Sequence, residues 1–273
     1  MEYRQVQTIG RRGAGPGQFT STLRALSIDR KDLLYAVGDT HVNVFDRGGR
    51  LLRRWTTAKP GTAVAVREDG SVYVGEAGQI ERFDSGGKRV DAWRDDEHLG
   101  EVTAIGFVRD FVLAADAKDR SIRRFDTSGR FLNTIGKDNR THGFLIPNGV
   151  LDFSVDGEVI HAANPGKHRV ERYTCEGELL GHVGRFDWLD PSGFPGCCNP
   201  TNVEVAGGGR LYVTEKAGPR AKVLNADGKL IAVIATSVFD PNCKNMDLAV
   251  DSRGRVYVAD PVRLRILGFE PVV

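Results

Sequence analysis

The chain has 273 residues, of which 40% are hydrophobic and 27% are charged, and this balance excludes an intrinsically disordered protein. Its formal net charge is only +2, from 38 basic and 36 acidic side chains, so bulk electrostatics do not favour a nucleic-acid partner. No apolar run reaches the roughly 18 residues that a membrane-spanning helix needs. The segment from Met1 to Gln5 lacks the apolar region of a signal peptide. We therefore expect a soluble protein, either cytoplasmic or, if a leader has been trimmed, periplasmic or secreted.

The first predicted strand, Val6–Gly10, resembles Phe131–Gly136, which reads as the fourth strand of a later unit. Between them a short phrase starts to recur: an aromatic or aliphatic residue, a polar residue and, in all copies but the last, a glycine turn. The copies are spaced 38 to 51 residues apart and begin at Phe45, Phe83, Phe125, Tyr173, Leu224 and Phe269. A repeat of this length predicts stacked units that bury their apolar faces against one another.

Each unit reads as short strands in which apolar and polar residues alternate. The last unit shows three of them, in Asp247–Asp251, Arg255–Asp260 and Leu264–Phe269, and only four residues follow. We expect the N-terminal strand to supply the missing fourth strand and close the ring, which would protect the sheet edges. The prediction is an all-β, six-bladed β-propeller of four-stranded antiparallel blades, forming a single domain over residues 1–273.

Several segments resemble the NHL repeat. They are Gly13-Ala14-Gly15-Pro16-Gly17-Gln18-Phe19, Leu26-Ser27-Ile28-Asp29, Val44-Phe45-Asp46, Asn202 to Gly228 and Asp251 to Asp260. The loops Gly-Cys-Cys-Asn-Pro and Cys-Lys-Asn-Met-Asp are similar to those of a subset of bacterial NHL proteins. The resemblance implies the same propeller fold, but NHL propellers bind proteins, bind RNA or act as lyases and hydrolases, so it does not select a function.

Residues that recur in blade after blade are expected to be structural. Acidic or amide residues end the second strand of most units, at Glu76, Asp116, Asn164, Glu215 and Asp260, and a basic residue follows closely. We interpret these pairs as bracing between blades. Function is therefore expected where the repeat is broken, in the segments that precede the fifth and sixth blades.

These two segments carry three of the four cysteines. Cys197 and Cys198 precede the fifth blade, and Cys243 precedes the sixth at a nearly equivalent place. In a four-stranded meander the connections entering the first strand share one face with those joining strands two and three. This topology predicts that the three thiols lie near one mouth of the central channel, while Cys175 lies alone on the opposite rim. The same alignment makes Asn148, Asn202 and Asn245 equivalent.

Converging thiolates are soft ligands that suit copper, zinc or an iron–sulfur cluster, and Met246 could add a thioether. Three other interpretations stay open. Cys197 and Cys198 could form a vicinal disulfide, Cys198 and Cys243 could form a disulfide between blades, or all three could be buried, unreactive thiols.

The sequence thus predicts a binding module with a thiol-ligated metal or redox site at one mouth of the channel. Its protein or small-molecule partner would bind the face that carries residues 137–147, 186–200 and 237–246. A first alternative is a protein-interaction scaffold with structural cysteines. A second is a lyase or hydrolase with Glu215, His142 and His168 as acid–base candidates. A third is RNA binding through Lys167, His168, Lys216 and Arg220 with Trp188 and Phe194, which Asp187, Asp190, Glu215 and Asp240 would oppose.

Overall fold

The computed structural model describes residues 1–137, 142–216 and 218–272. In this part of the chain the strands form six four-stranded antiparallel sheets, which are the blades of a six-bladed propeller. The innermost strands of successive blades touch one another all the way round, from the first blade to the sixth and back to the first. The predicted fold class is confirmed. No helix in the described ranges is long and apolar enough to cross a membrane.

The first twelve strands are β1 (Glu2–Ile9), β2 (Ala25–Ile28), β3 (Leu34–Gly38), β4 (His41–Phe45), β5 (Leu51–Thr56), β6 (Ala63–Val66), β7 (Val72–Glu76), β8 (Gln79–Phe83), β9 (Arg89–Arg94), β10 (Val102–Val108), β11 (Phe111–Asp116) and β12 (Ser121–Asp126). The remaining strands are β13 (Phe131–Ile135), β14 (Phe153–Asp156), β15 (Val159–Asn164), β16 (Arg169–Tyr173), β17 (Leu179–Val183), β18 (Asn202–Ala206), β19 (Arg210–Glu215), β20 (Arg220–Leu224), β21 (Leu230–Thr236), β22 (Leu248–Val250), β23 (Val256–Asp260) and β24 (Arg265–Val272). A turn of 3-10 helix, Pro165–Lys167, follows β15.

The N-terminal strand closes the ring, as the sequence predicts. β1 pairs antiparallel with β24, from Glu2 opposite Val272 to Ile9 opposite Ile266. The sixth blade therefore has the order β1-β24-β23-β22, and its outer strand comes from the opposite end of the chain. Each of the other five blades is a simple meander of four consecutive strands.

The core consists of six apolar clusters in the described chain, and each cluster spans one pair of neighbouring blades. The recurring residues at Phe45, Phe83, Phe125, Tyr173, Leu224 and Phe269 are all at most 2% exposed. A single blade could not bury these side chains alone, so the stacking of blades supplies the hydrophobic stabilisation.

The acidic and amide residues at the ends of the second strands fasten the connection that arrives from the preceding blade. Glu76 accepts a hydrogen bond from the Lys59 amide at 3.1 Å, and Asn164 accepts one from the Leu145 amide at 3.1 Å. Asp116 accepts the Glu101 amide at 3.1 Å. In these three blades the side chain that ends the second strand thus orients the loop entering the same blade, and the entering loops surround the channel mouth.

Candidate functional site

The connection between β17 and β18, residues 184–201, is the largest departure from the repeat and has a fixed internal structure. Asp187 accepts the amides of Leu189 and Asp190, each at 2.9 Å, which folds a tight turn. Arg185 reaches Asp190 at 2.6 Å across the base of that turn. The amide of Phe194 bonds to the Arg185 carbonyl at 2.8 Å, so the two ends of the turn are held together.

A buried lysine from the neighbouring strand anchors this connection. Lys222 on β20 is fully buried, and its Nζ donates to the carbonyls of Pro191, Ser192 and Gly193 at 3.1, 3.2 and 2.6 Å. It also pairs with Glu215 at 2.7 Å. A buried ammonium group requires such a complete set of acceptors, because its desolvation is otherwise costly. The charge of Lys222 therefore anchors the connection to the fifth blade.

The two adjacent cysteines lie at the end of this connection and differ in their environments. The Sγ atoms of Cys197 and Cys198 are 2.9 Å apart, and both thiols are free. Cys197 is exposed, whereas Cys198 is 2% exposed. A hydrogen bond from Cys198, with help from the Lys216 ammonium, lowers the pKa of Cys197. Burial, together with the bond it donates to Cys197, raises the pKa of Cys198. The pair thus combines an accessible, acidic thiol with a shielded, weakly acidic one.

Lys216 connects the thiols to the channel mouth. Its backbone amide bonds to Asn199 Oδ1 at 2.9 Å, which fixes the residue beside the Cys-Cys segment. Its Nζ donates to Asn148 Oδ1 at 2.9 Å, and its positive charge favours the thiolate form of both cysteines. Burial alone would lower the pKa of Lys216, but its contacts with Cys198 and Cys197 raise it. The side chain is therefore a stable cation next to a thiol that can ionise.

Cys243 does not complete a three-thiol site. It is 2% exposed and packs in the core between the fifth and sixth blades, together with Phe239 and Met246. Its Sγ donates to Asp260 at 3.4 Å, and burial raises the pKa of its thiol to about 12. Within residues 1–137, 142–216 and 218–272, no group of three or more His, Cys, Asp or Glu side chains could hold a metal ion. The prediction of a metal site at Cys197, Cys198 and Cys243, with Met246 as a further ligand, is not supported.

Cys175 lies between β16 and β17, at the other end of its blade, where it was predicted. It is buried in the cluster between the third and fourth blades, and burial raises the pKa of its thiol. Its carbonyl accepts hydrogen bonds from Arg124 and Asn133. Cys175 is thus a packing residue and serves as an internal comparison for the reactive pair.

The acid–base candidates occupy structural positions. Glu215 is 1% exposed and forms ion pairs with Arg220 and Lys222. His168 bonds through Nδ1 to the Phe194 carbonyl at 3.0 Å, and its ring stands at a steep angle to that of Phe186. His142 is exposed, and its carbonyl accepts a bond from Arg120. The side chains of Glu215 and His168 therefore help to hold connections in place, whereas His142 does so through its backbone carbonyl.

A cavity of about 500 Å³ occupies the mouth of the channel on the face of the dithiol. Its lining comes from the loops that enter the blades and includes Arg24, Glu101, Asn148, Asn202, Asn242, Lys244 and Asn245. The three equivalent asparagines, Asn148, Asn202 and Asn245, all lie here, although the sequence analysis gave them no role. Since Asn148 also binds Lys216, the cavity and the dithiol share a wall.

Two side chains in that lining are unpaired cations. Arg24 and Lys244 are exposed, and neither side chain forms an ion pair or hydrogen bond with any residue of the described ranges. They lie just before β2 and β22, on adjacent blades across the ring closure. Sequence reasoning missed both, because a lone basic residue in a loop is usually only solvated.

The dithiol connection and the channel-mouth cavity lie on the predicted partner face. Residues 138–141 of that face lie outside the described residues. Phe186, Trp188 and Leu189 are exposed on the dithiol connection. Phe194, which the RNA hypothesis treats as an exposed aromatic, is instead fully buried beneath Lys222. Arg220 is engaged with Glu215. The basic and aromatic surface that RNA binding would require is therefore smaller than predicted.

Comparison with known proteins identifies the fold alone. No family model matches the chain, and no curated protein matches it. The NHL resemblance therefore stays a prediction.

Solved structures match along most of their lengths at low identity. A structure of streptogramin B lyase is 10% identical with a TM-score of 0.66, covering 98% of this chain and 97% of its own. The WD40 β-propeller domain of Doa1 is 11% identical with a TM-score of 0.64, covering 99% and 97%. A protein of unknown function from Bacteroides caccae is 13% identical with a TM-score of 0.60, covering 80% and 83%. The chain is similar to these proteins in its fold.

Proposed function

We propose that this protein is an NHL-type binding propeller whose chemistry is thiol–disulfide exchange at Cys197 and Cys198. The observation that carries the proposal is the contact of an exposed thiol of lowered pKa with a buried thiol of raised pKa. An attacking thiol must be accessible and partly ionised, whereas a resolving thiol must be adjacent but protected from side reactions. Cys197 fits the first role and Cys198 fits the second.

The exchange proceeds in two steps. The Cys197 thiolate attacks one sulfur of a disulfide R–S–S–R′, forming a mixed disulfide with R and releasing R′S⁻, which takes up a proton. Cys198 then attacks Cys197 Sγ, which forms the Cys197–Cys198 bond and releases RS⁻, and the Cys198 proton goes to this leaving thiolate. In total, the protein dithiol is oxidised by two electrons and the disulfide is reduced to two thiols.

Sequence adjacency makes this pair easily reversible. The Cα atoms of neighbouring residues are about 3.8 Å apart across a trans peptide, which is less than the roughly 4.4 Å minimum of ordinary disulfides. A Cys197–Cys198 disulfide is therefore strained, and strained disulfides are the readily reduced ones that serve regulation or catalysis. We expect the dithiol to be the resting form.

Zinc, copper and iron–sulfur binding fit these residues less well than redox chemistry does. The third predicted thiol, Cys243, is committed to the core, and the dithiol alone offers two protein ligands where structural zinc sites use four. A lyase or hydrolase function is likewise disfavoured, because Glu215 is engaged by two cations.

The test is the reaction of the purified, reduced protein with a large excess of bis(2-hydroxyethyl) disulfide, which drives formation of the strained link, followed by intact mass and peptide mapping. The wild-type protein should lose two hydrogens and contain a Cys197–Cys198 link. Cys198→Ser should stop at a mixed disulfide on Cys197. Cys197→Ser should react at no more than about one tenth of the wild-type rate. Cys175 and Cys243 remain in every variant as matched controls. Adducts on those two residues, or an unchanged rate in Cys197→Ser, would refute the proposal.

Metal analysis of the anaerobically purified protein distinguishes redox chemistry from metal binding. We expect no stoichiometric zinc, copper or iron and no coloured chromophore. Stoichiometric metal in the wild-type protein that is lost in both Cys197→Ser and Cys243→Ser would instead establish the three-thiol site.

A further inference from the structure

The channel-mouth cavity shares a wall with the dithiol and is suited to hold its co-reactant. The amide of Lys216 bonds to Asn199, the residue after Cys198, and its Nζ donates to Asn148, which lines the cavity. One lysine therefore joins the cavity wall to the segment that carries the dithiol. The volume of about 500 Å³ suits a small molecule rather than a folded domain.

The charges of the lining select among small molecules. Arg24 and Lys244 are unpaired in the described chain and lie on neighbouring blades, so both can turn toward one anion. A guanidinium group forms paired hydrogen bonds with a carboxylate, and an ammonium group adds a second charge. Glu101 lines the third-blade side of the cavity and offers a carboxylate to a ligand cation. The lining is therefore complementary to a molecule that carries carboxylates together with an ammonium group.

We infer that the co-reactant is a low-molecular-weight disulfide of the amino-acid type, such as cystine or oxidised glutathione, with its carboxylate on Arg24 and Lys244. This inference rests on the proposed exchange at Cys197 and names its substrate class. The carboxylate end lies against the first and sixth blades, and the disulfide lies toward the fourth and fifth blades, where Cys197 is exposed. Arg24 and Lys244 are specificity residues, because they bind the carboxylate end of the ligand, which lies away from the reacting sulfur.

The experiment compares three disulfides of different charge in one assay at low salt. Oxidised glutathione carries carboxylates, bis(2-hydroxyethyl) disulfide is neutral, and cystamine is cationic. The rate at which each disulfide forms a mixed disulfide with Cys198→Ser protein is divided by the rate at which it reacts with free cysteine. This division corrects for the intrinsic reactivity of each disulfide. The normalised rates should fall in the order oxidised glutathione, neutral disulfide, cystamine.

The decisive variant is Arg24→Met/Lys244→Met in the same background. Its normalised rate with oxidised glutathione, relative to that with the neutral disulfide, should fall by about tenfold, the scale of electrostatic steering by a charged cleft. The matched control in that background is Lys31→Met/Lys229→Met, which removes two exposed lysines outside the cavity lining and should keep the ratio of the Cys198→Ser parent. Salt should weaken the preference of the Cys198→Ser parent for oxidised glutathione and leave that of Arg24→Met/Lys244→Met unchanged.

Binding without chemistry provides an independent readout. In Cys197→Ser protein, calorimetry should detect oxidised glutathione, and Arg24→Met/Lys244→Met should weaken that binding. Equal normalised rates for all three disulfides, or binding that the double variant leaves unchanged, would overturn the inference while leaving the exchange reaction intact. If no disulfide reacts with Cys197 at all, the proposed function fails, and the inference fails with it.

Discussion

Burial and the hydrogen bond between the two adjacent thiols determine which of them is the reactive one. Both cysteines occupy the same segment, yet only Cys197 combines exposure with a lowered pKa. The ammonium of Lys216 favours a nearby thiolate, and its position is set by the bonds with Asn199 and Asn148. Cys198, shielded from solvent, is kept as the thiol and donates to its neighbour. The asymmetry therefore comes from burial and from the contact between the thiols, whereas Lys216, which is distant in sequence, favours the thiolate form of both.

Replacing Lys216 with Met should slow the alkylation of Cys197. Loss of the cation raises the pKa of Cys197, so less thiolate is present at pH 7, although each thiolate is then slightly more nucleophilic. The rate with iodoacetamide at pH 7 should fall roughly threefold, and the midpoint of the pH–rate profile should move to higher pH. Lys31→Met, at an exposed lysine, is the control. An unmoved midpoint would show that Lys216 does not tune the thiol.

At the scale of elements, one long connection depends on one strand. The segment between β17 and β18 carries the dithiol, and Lys222 on β20 holds it through three carbonyl groups. The same lysine offsets the charge of Glu215, so the connection, the ion pair and the blade are a single structural unit. This anchoring by Lys222 keeps exposed residues such as Cys197 at a defined place, which a flexible loop would not do.

Lys222→Met should destabilise the protein and loosen the dithiol connection. The substitution leaves the buried carbonyls and part of the charge of Glu215 without a partner, and we expect a loss of about 3 kcal/mol in the free energy of unfolding. Urea titration measures that loss, and hydrogen exchange should increase across residues 185–200. Lys229→Met, at an exposed lysine of the same blade, should change neither. Wild-type exchange in the variant would contradict the anchoring role.

At the scale of the whole molecule, the central channel concentrates acidic groups. Asp152, Glu204 and Asp247 line a cavity of about 120 Å³ formed by the inner strands. Asp152 accepts the Val203 amide at 2.8 Å, and Asp247 accepts the Leu26 amide at 2.6 Å, so each ties its blade to the next. Burial raises the pKa of Glu204 and of Asp247 to about 7, and burial with the charge of Asp247 raises the pKa of Asp152. The ring brings together carboxyl groups that repel one another once ionised.

The channel carboxyls should therefore lower the stability of the protein as pH rises from about 4 to about 7. An acid whose pKa is raised by folding is protonated in the folded state but ionised in the unfolded chain between about pH 4 and pH 7, so rising pH favours unfolding across that range. Between pH 5 and pH 8 we expect Asp247 to contribute a loss of roughly 2 kcal/mol, which Asp247→Asn should remove. Urea titrations at several pH values measure it, with Asp110→Asn at an exposed carboxylate as control. A loss of the same size in Asp247→Asn would contradict this interpretation.

The sequence alone was sufficient for the architecture. The six copies of the repeated sequence pattern, from Phe45 to Phe269, predict six blades. The short last unit together with Val6–Gly10 predicts closure by the N-terminus, which the pairing of β1 with β24 confirms. Both predictions are possible because a propeller repeats one local pattern. The alternation of apolar and polar residues and the turn residues that make up this pattern can be recognised directly in the sequence. The meander rule also predicts which loops meet at the channel mouth, since it depends only on strand order.

Tertiary structure decided what those loops can do. Cys198 and Cys243 precede equivalent strands, yet one lies in the dithiol and the other packs beside Phe239 and Met246. The direction of a loop side chain has no two-residue period to reveal it, so packing between blades sets it. Lys216, Asn148 and Lys222 act through partners from 17 to 68 residues away. Contacts at that distance exist only after the blades have stacked, so the sequence identified the face of the site and the folded ring selected its residues.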